Sequence, residues 1–369
     1  MKEKNEFFAS IAGIKIKVIG DNELSKAIAT DLEATLATDN NVCHISIEIK
    51  DDNLNNYQPK VFSAKGSMNF NESEYFVDYL NEINYLIKNL FDSETVNIRI
   101  NPNKKSIKKR IKQFLEKKNV IEKNTILSYS LFWYVLHFEL IKNEKSFVHA
   151  GVFEGKDGAT IISGTGGCGK TSTLFKILED NTKKYLAEDF GIIDAKGYCY
   201  YNPKPVSIYA SDMEFGQRIL KGFYNSFDLV DKISWIVKRK VLGINPMIKA
   251  KPDLLMNGRV AKKCKVNNVL YFVRTNNSEL IVEDIDKSIL VERVLDSSMR
   301  ELKTFDELLL LMRANTPLEY NIPAFGSMRE TTKNIYLQSF SNTQNKIVYI
   351  PHKTTPKVLV DFLQENNLI

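Results

Sequence analysis

Eight residues constrain this chain more than any others: Gly164, Thr165, Gly166, Gly167, Cys168, Gly169, Lys170 and Thr171 complete the pattern G-x-x-x-x-G-K-[ST]. They follow a strand-like run, Ala159 to Ser163, and precede a helix-like one, Ser172 to Glu179. A strand, a glycine-rich turn and a helix in that order turn bare backbone N–H groups into a concave anion nest at the positive end of a helix. Such a nest holds phosphate. Lys170 is placed to reach the outer phosphates of a nucleoside triphosphate, Thr171 to ligate Mg²⁺, and Ser172 to line the cradle behind them. ATP and Mg²⁺ are therefore the expected ligands.

At 369 residues and 43% hydrophobic content the chain can bury one large core or two moderate ones. Two parts are expected, an N-terminal α/β module over 1–120 and a phosphate-loop domain over 121–369. Cys43, Cys168, Cys199 and Cys264 are scattered without a C-x-x-C, so neither a disulfide framework nor a zinc site is indicated. The N-terminus has no apolar signal core, and the most apolar run, Leu131 to Leu140, is interrupted by His137 and Glu139. A cytoplasmic protein without a membrane span is the expectation. Net charge is +6, concentrated in Lys104 to Lys118, which reads as a solvated helix face or as a dock for an acidic partner. No aromatic residues alternate with those lysines, which argues against nucleic acid as a partner. Self-association is left open.

Local patterns fill in the rest. Residues 11 to 19 alternate as a strand, Asn22 to Leu36 reads as a capped helix, and Val42 to Ile49 alternates again. Tyr75 to Phe91 fits helix and strand templates about equally, with a strand hairpin favoured; a strand is expected at Val96 to Ile100 and a core helix at Ile126 to Ile141. In the tail, Phe305 to Arg313 and Pro356 to Glu365 read as helices, Asn334 to Leu337 and Lys346 to Ile350 as strands.

The surroundings of the loop carry the chemistry. Phe147 to Phe153 and Ala159 to Ser163 flank the turn sequence Gly155-Lys-Asp-Gly158, so they should pair as a hairpin. Either plausible register brings His149 opposite Ser163 or Gly164, beside the phosphates. Nineteen positions beyond Lys170, an apolar strand ends in Glu188-Asp189; one carboxylate can hold metal while its neighbour takes the proton of an attacking hydroxyl. Phe190 to Asp194 and Tyr198 to Tyr201 should form a second hairpin across Ala195-Lys-Gly197. Hairpins on both sides of the loop call for a mixed sheet rather than an all-parallel one.

This order of elements resembles the HPr kinase/phosphorylase family, whose fold is shared with ATP-dependent phosphoenolpyruvate carboxykinases; the similarity is close over Phe147 to Asp194. The resemblance implies a mixed-sheet α/β kinase domain and transfer of the γ-phosphate of ATP to a hydroxyl, a serine of a protein or peptide, or that of a small molecule. It implies that His149 supports the catalytic carboxylate, that Glu188 acts as base where the family has aspartate, and that Asp189 is metal-associated. The family's arginine-glycine signature has its nearest counterpart at Lys238 to Asn245, making Arg239 the candidate for the phosphoryl-contacting arginine, with Arg259 and Arg274 as alternatives. The glutamate substitution also admits a nucleotide-binding switch without transfer. No further set of Lys, His and Asp is legible around the loop, which argues against carboxykinase chemistry. Cys168, at a variable loop position, reads as a tolerated small side chain before a redox sensor.

Overall fold

The computed structural model describes residues 5–36, 43–50, 61–62, 68–71, 74–79, 83–91, 94–102, 132–209, 219–220, 229–240, 243, 247–302, 309–310, 312–314, 322–323 and 325–369. The Lys104 to Lys118 patch lies outside them, as does the start of the helix expected from Ile126. The chain is mixed α/β and divides into two compact units: Met1–Asn143 with Leu302–Glu330, and Glu144–Glu301 with Thr331–Ile369. The division thus falls at 143/144 rather than at 120/121. The chain also returns late to the first unit, a crossing that no local pattern announces.

The first unit is built on a sheet whose nine described strands are β1 (Glu6–Ile11), β2 (Ile14–Ile19), β3 (Thr35–Leu36), β4 (Ile45–Ile49), β5 (Val61–Phe62), β6 (Met68–Asn71), β7 (Glu74–Tyr79), β8 (Ile83–Lys88) and β9 (Val96–Pro102). Their order is β3-β1-β2-β4-β9-β8-β7-β6-β5, with parallel pairs at β2–β4 and β4–β9. The strand expected over 11–19 is a hairpin instead. Ala12 and Gly13 both take positive φ, folding β1 back on β2. The first helix, Glu23–Asp31, is capped by the Asn22 side chain, which accepts from the Ser25 N–H at 2.8 Å. It stops short of Leu36 because Glu33 turns left-handed and Thr35–Leu36 joins β1. The hairpin at Tyr75 to Phe91 is present as β7 and β8. Residues 132–142 are helical, with Phe132, Trp133, Leu136 and His137 buried.

The second unit adds β10 (Lys145–Gly155), β11 (Gly158–Gly164), β12 (Lys184–Ala187), β13 (Phe190–Asp194), β14 (Tyr198–Tyr200), β15 (Val206–Tyr209), β16 (Met247–Ala250), β17 (Lys263–Thr275), β18 (Ile281–Asp284) and β19 (Gln344–Pro351). Two long strands organise it. The first half of β10 pairs with β13 and its second half with β11 and β12. Likewise β17 pairs first with β14, then in parallel with β11 and β19. The sheet is mixed, as the flanking hairpins require.

Successive residues of these strands point to opposite faces, and two apolar clusters follow that alternation. Ile162, Leu270, Phe272 and Val348 pack with Leu174, Phe175 and Leu359 of the helices Lys170–Ile177 and Pro356–Glu365. Ile161, Val269, Tyr271 and Ile347 pack with Leu290, Val294, Ile335 and Tyr336 of the helices Lys287–Glu301 and Phe325–Ser339. Asn334 to Leu337 is thus helical, not a strand. Thr332, Ile335, Tyr336 and Ser339 are all buried, a helical spacing that a four-residue window conceals.

Burial pushes the His137 imidazole down to about 4 from an ordinary 6.5. The folded chain stays neutral there while the unfolded chain takes up a proton, so this contribution to stability is whole above 6.5 and is lost as the pH falls towards 4. At pH 5 the loss amounts to ~2 kcal/mol. Denaturant melts at pH 7.5 and 5.0 should show a smaller acid penalty in His137→Gln than in the parent; equal penalties would contradict this account.

Candidate nucleotide and phosphoryl-transfer site

The Gly155-Lys-Asp-Gly158 turn sets the register Glu154↔Ala159 and Ala150↔Ser163, which carries His149 to the end of β11. There the Ser163 hydroxyl donates to the His149 carbonyl at 3.0 Å. At the same end Gly164 leaves the strand with φ +145°, and a Cβ on it would come within 2.5 Å of the Phe272 carbonyl oxygen of neighbouring β17. Gly167 and Gly169 also take positive φ, and the backbone from Thr165 to Gly167 faces solvent. Gly169 is the N-cap of the loop helix.

Lys170 is buried and lies back across the turn, its Nζ donating to the carbonyls of Gly164 (2.8 Å) and Thr165 (3.1 Å). The Ser297 hydroxyl donates to the same Gly164 oxygen at 2.9 Å, fastening the loop to the helix Lys287–Glu301. Ser172 Oγ donates to the Gly169 carbonyl and closes the first helical turn. Cys168 is buried, and burial raises its thiol pKa against the pull of Lys170, so it lacks the exposed thiolate of a redox sensor.

Glu188 and Asp189 occupy a two-residue turn between β12 and β13, at the place where β10 changes partners. Val152 pairs with Ala187 on one side of the turn and His149 with Phe190 on the other. Asp189 adopts φ +69°, and its carbonyl accepts from the Ala150 N–H. A left-handed non-glycine residue costs of order 1 kcal/mol, so the surroundings must hold it. They do so with charge. The Lys204 ammonium bonds Asp189 Oδ2 and lies over the Phe190 ring, 4.2 Å from its centroid. His149 Nδ1 stands 3.6 Å from Asp189 Oδ1.

On the other side of the turn, Thr171 donates its hydroxyl hydrogen to Glu188 Oε1 at 2.7 Å. The two acids therefore have different neighbours: Glu188 belongs to the loop, Asp189 to His149 and Lys204. Burial, and then the charge of Asp189, raise the Glu188 pKa to about 7. Burial works to raise Asp189 as well, but Lys204, with His149 and Lys170, outweighs it and holds that carboxyl below its ordinary range. His149 is pushed down to about 4 by burial and by Lys170, with Lys204 and Arg300 adding to the effect against Asp189. It is a neutral imidazole at physiological pH, 6% exposed, and neither ring nitrogen has a hydrogen-bond partner.

Lys, His and Asp do come together at this loop, then, although no spacing in the sequence joins them. Lys204 was not among the expected site residues. Its only trace is a lysine between two prolines, Asn202-Pro-Lys-Pro205, just past the second hairpin. Ser297 and Ser298 also went unread, being two serines inside a helix; Ser298 Oγ accepts from the His149 N–H at 2.9 Å. Among the arginines, Arg274 stands at the loop, its Nη2 lying 3.0 Å from where a Gly169 Cβ would be and its Nη1 bonded to the Pro351 carbonyl. Arg259 donates to the carbonyls of Leu178, Asp180 and Lys183 and so caps the far end of the loop helix. Arg239 lies on the helix Leu229–Lys240.

No protein-family model matches the chain, and no curated protein was found to be similar to it in sequence.

The glycines of the loop are not equivalent. Gly164→Ala should cost about 1–3 kcal/mol in a denaturant melt, because a left-handed backbone and the Phe272 carbonyl both oppose a side chain. A Cβ at Gly166 meets nothing within 4 Å, so Gly166→Ala should melt with the parent. Equal stability of the two variants would argue against this geometry.

Proposed function

We propose that this chain binds ATP with Mg²⁺ at Gly164 to Ser172 and transfers the γ-phosphate to a hydroxyl, that of a serine in a protein or peptide. One observation carries the reading: the loop's Thr171 and the acid turn touch, Oγ1 to Oε1 at 2.7 Å, so phosphate nest and carboxylates form one site. The mixed sheet, the hairpin that delivers His149 and the acid pair beyond the loop support the resemblance to HPr kinase-like enzymes and to the carboxykinase fold.

The two carboxylates exchange the roles that the resemblance suggested. Thr171 and Glu188 are the oxygens beside the loop, and they fit a hard divalent ion that draws its other ligands from phosphate and water. Among the described residues no group of three His, Cys, Asp or Glu side chains forms a metal site of its own, which is in keeping with an ion shared with a nucleotide. Bound there, Mg²⁺ would offset phosphate charge. Asp189, ionised and with about a third of its side chain exposed (35%), is the group that accepts the proton of an incoming hydroxyl. His149 stands beside Asp189 as a neutral imidazole, Nδ1 3.6 Å from Oδ1, and in this reading supports that carboxylate once the site is loaded. Lys170 leaves its loop carbonyls for the outer phosphates, and the amides of Thr165 to Gly169 cradle the rest. Arg274, beside Gly169, is the arginine that this reading sets at the loop.

Incubation with γ-labelled ATP, Mg²⁺ and cell lysate or genomically neighbouring peptides tests this. Lys170→Ala should weaken ATP binding about tenfold or more, the worth of one charge-assisted hydrogen bond. Asp189→Asn should lower transfer by about 10²–10⁴-fold while ATP affinity stays within about threefold. Undiminished transfer by Asp189→Asn would sink the base assignment. Tight ATP binding with no transfer to any acceptor would favour the switch, and absence of ATP uptake at millimolar Mg²⁺ would end both.

A further inference from the structure

Lys204 is held at the acid turn by more than its ion pair. Asn202, 1% exposed, takes the Leu186 carbonyl with its backbone N–H (3.0 Å) and the Phe190 carbonyl with its side-chain amide (2.7 Å). Those carbonyls lie on either side of Glu188-Asp189, so Asn202 spans the turn. Its Oδ1 then accepts the Lys204 N–H at 3.0 Å, and Pro203 and Pro205 fix φ on both sides of the lysine. A surface lysine chooses its partner; this one is delivered by its backbone to Asp189 Oδ2, with its ammonium over the Phe190 ring and only 17% of the side chain exposed.

The other face of Asp189 is equally specific. A buried imidazole with both nitrogens unpartnered stands 3.6 Å from Oδ1. Asp189 and His149 alone would offer a divalent ion one carboxylate oxygen and one imidazole nitrogen, 3.6 Å apart. The Lys204 ammonium already supplies positive charge at that position.

We propose that Lys204 is a resident cation of the acid couple, a positioning residue that pins Asp189 in its left-handed turn and fills the place a divalent ion would otherwise take beside His149. The ion that accompanies the nucleotide is thereby confined to the Thr171–Glu188 side; that last step rests on the kinase reading, whereas the exclusion of metal from the His149 side does not.

Mn²⁺ titrations followed by electron paramagnetic resonance on nucleotide-free protein test the exclusion directly. The parent and Lys204→Arg should take up no Mn²⁺ below ~1 mM, while Lys204→Met should take up one ion per chain in that range. Lys204→Gln serves in place of Lys204→Met if the methionine variant melts early. Uptake by the parent equal to that of the neutral variant, or no uptake by either neutral variant, overturns the proposal. In a second arm, ATP hydrolysis by Lys204→Met should fall about 10²-fold with ATP affinity within about threefold, and Lys204→Arg should recover most of the rate. Turnover unchanged in Lys204→Met overturns the positioning role. If the parent takes up no ATP the kinase reading fails, and the Mn²⁺ arm still decides for or against Lys204.

Discussion

The division of β10 between two sets of partners is the constraint on which the site depends. A strand of eleven residues pairs along its first half with β13 and along its second half with β11 and β12. At the change-over the chain must step from β12 to β13 in two residues, and those two are Glu188 and Asp189. The tight turn this demands, with the Phe190 N–H bonded to the Glu188 carbonyl at 2.8 Å, throws successive side chains to different neighbours. Two adjacent acids on a continuous strand would also diverge, but across the sheet; here both remain beside the loop, one meeting Thr171 and the other His149.

That separation sorts their electrostatics. Two partly buried carboxylates this close cannot both ionise cheaply, and the cost falls on the one with less compensation. Lys204 sits on Asp189, so Asp189 keeps its charge and Glu188 absorbs the penalty, relieved in part by the Thr171 hydroxyl. The turn therefore presents an ionised acid towards solvent and a hydrogen-bonded one towards the loop. In the proposed reading that asymmetry would supply a proton acceptor and a metal-side oxygen from adjacent residues.

How much of this could be read from the chain follows from the range of the interactions. Hairpins set their own register through their turns, so β10–β11 and β13–β14 were legible, and with them the approach of His149 to the loop, whereas Tyr75 to Phe91 fitted helix and strand alike. The glycine-rich turn between strand and helix was legible because its glycines meet a local backbone need, most plainly at Gly164. The hairpin bend at Ala12-Gly13 was missed because alternation continues on both sides of it and dominates a short window. Asn334 to Leu337 misled for a similar reason: four residues carry too little phase to tell a strand from one face of a helix. Lys204, Ser297 and Arg274 were hidden or undecided because each reaches the loop from a separate strand or helix, and only tertiary pairing brings them there.

The loop sequence Gly-Thr-Gly-Gly is fastened at its first residue from more than one side. The Gly164 carbonyl receives both Lys170 and Ser297, and its neighbour on β17 is Phe272, in parallel register. One residue is thus bound from the loop, from the helix Lys287–Glu301 and from the sheet. Were Lys170 to leave for a phosphate, as the proposed reading requires, Ser297 and the β17 pairing would remain, so the carbonyl would not be left unsatisfied and the strand end need not shift. The same helix takes the His149 N–H through Ser298, one residue along. Adjacent serines on one helical turn therefore tie the loop and the histidine strand to a common support, and the spacing between phosphate nest and acid turn is set by packed secondary structure rather than by the glycines themselves.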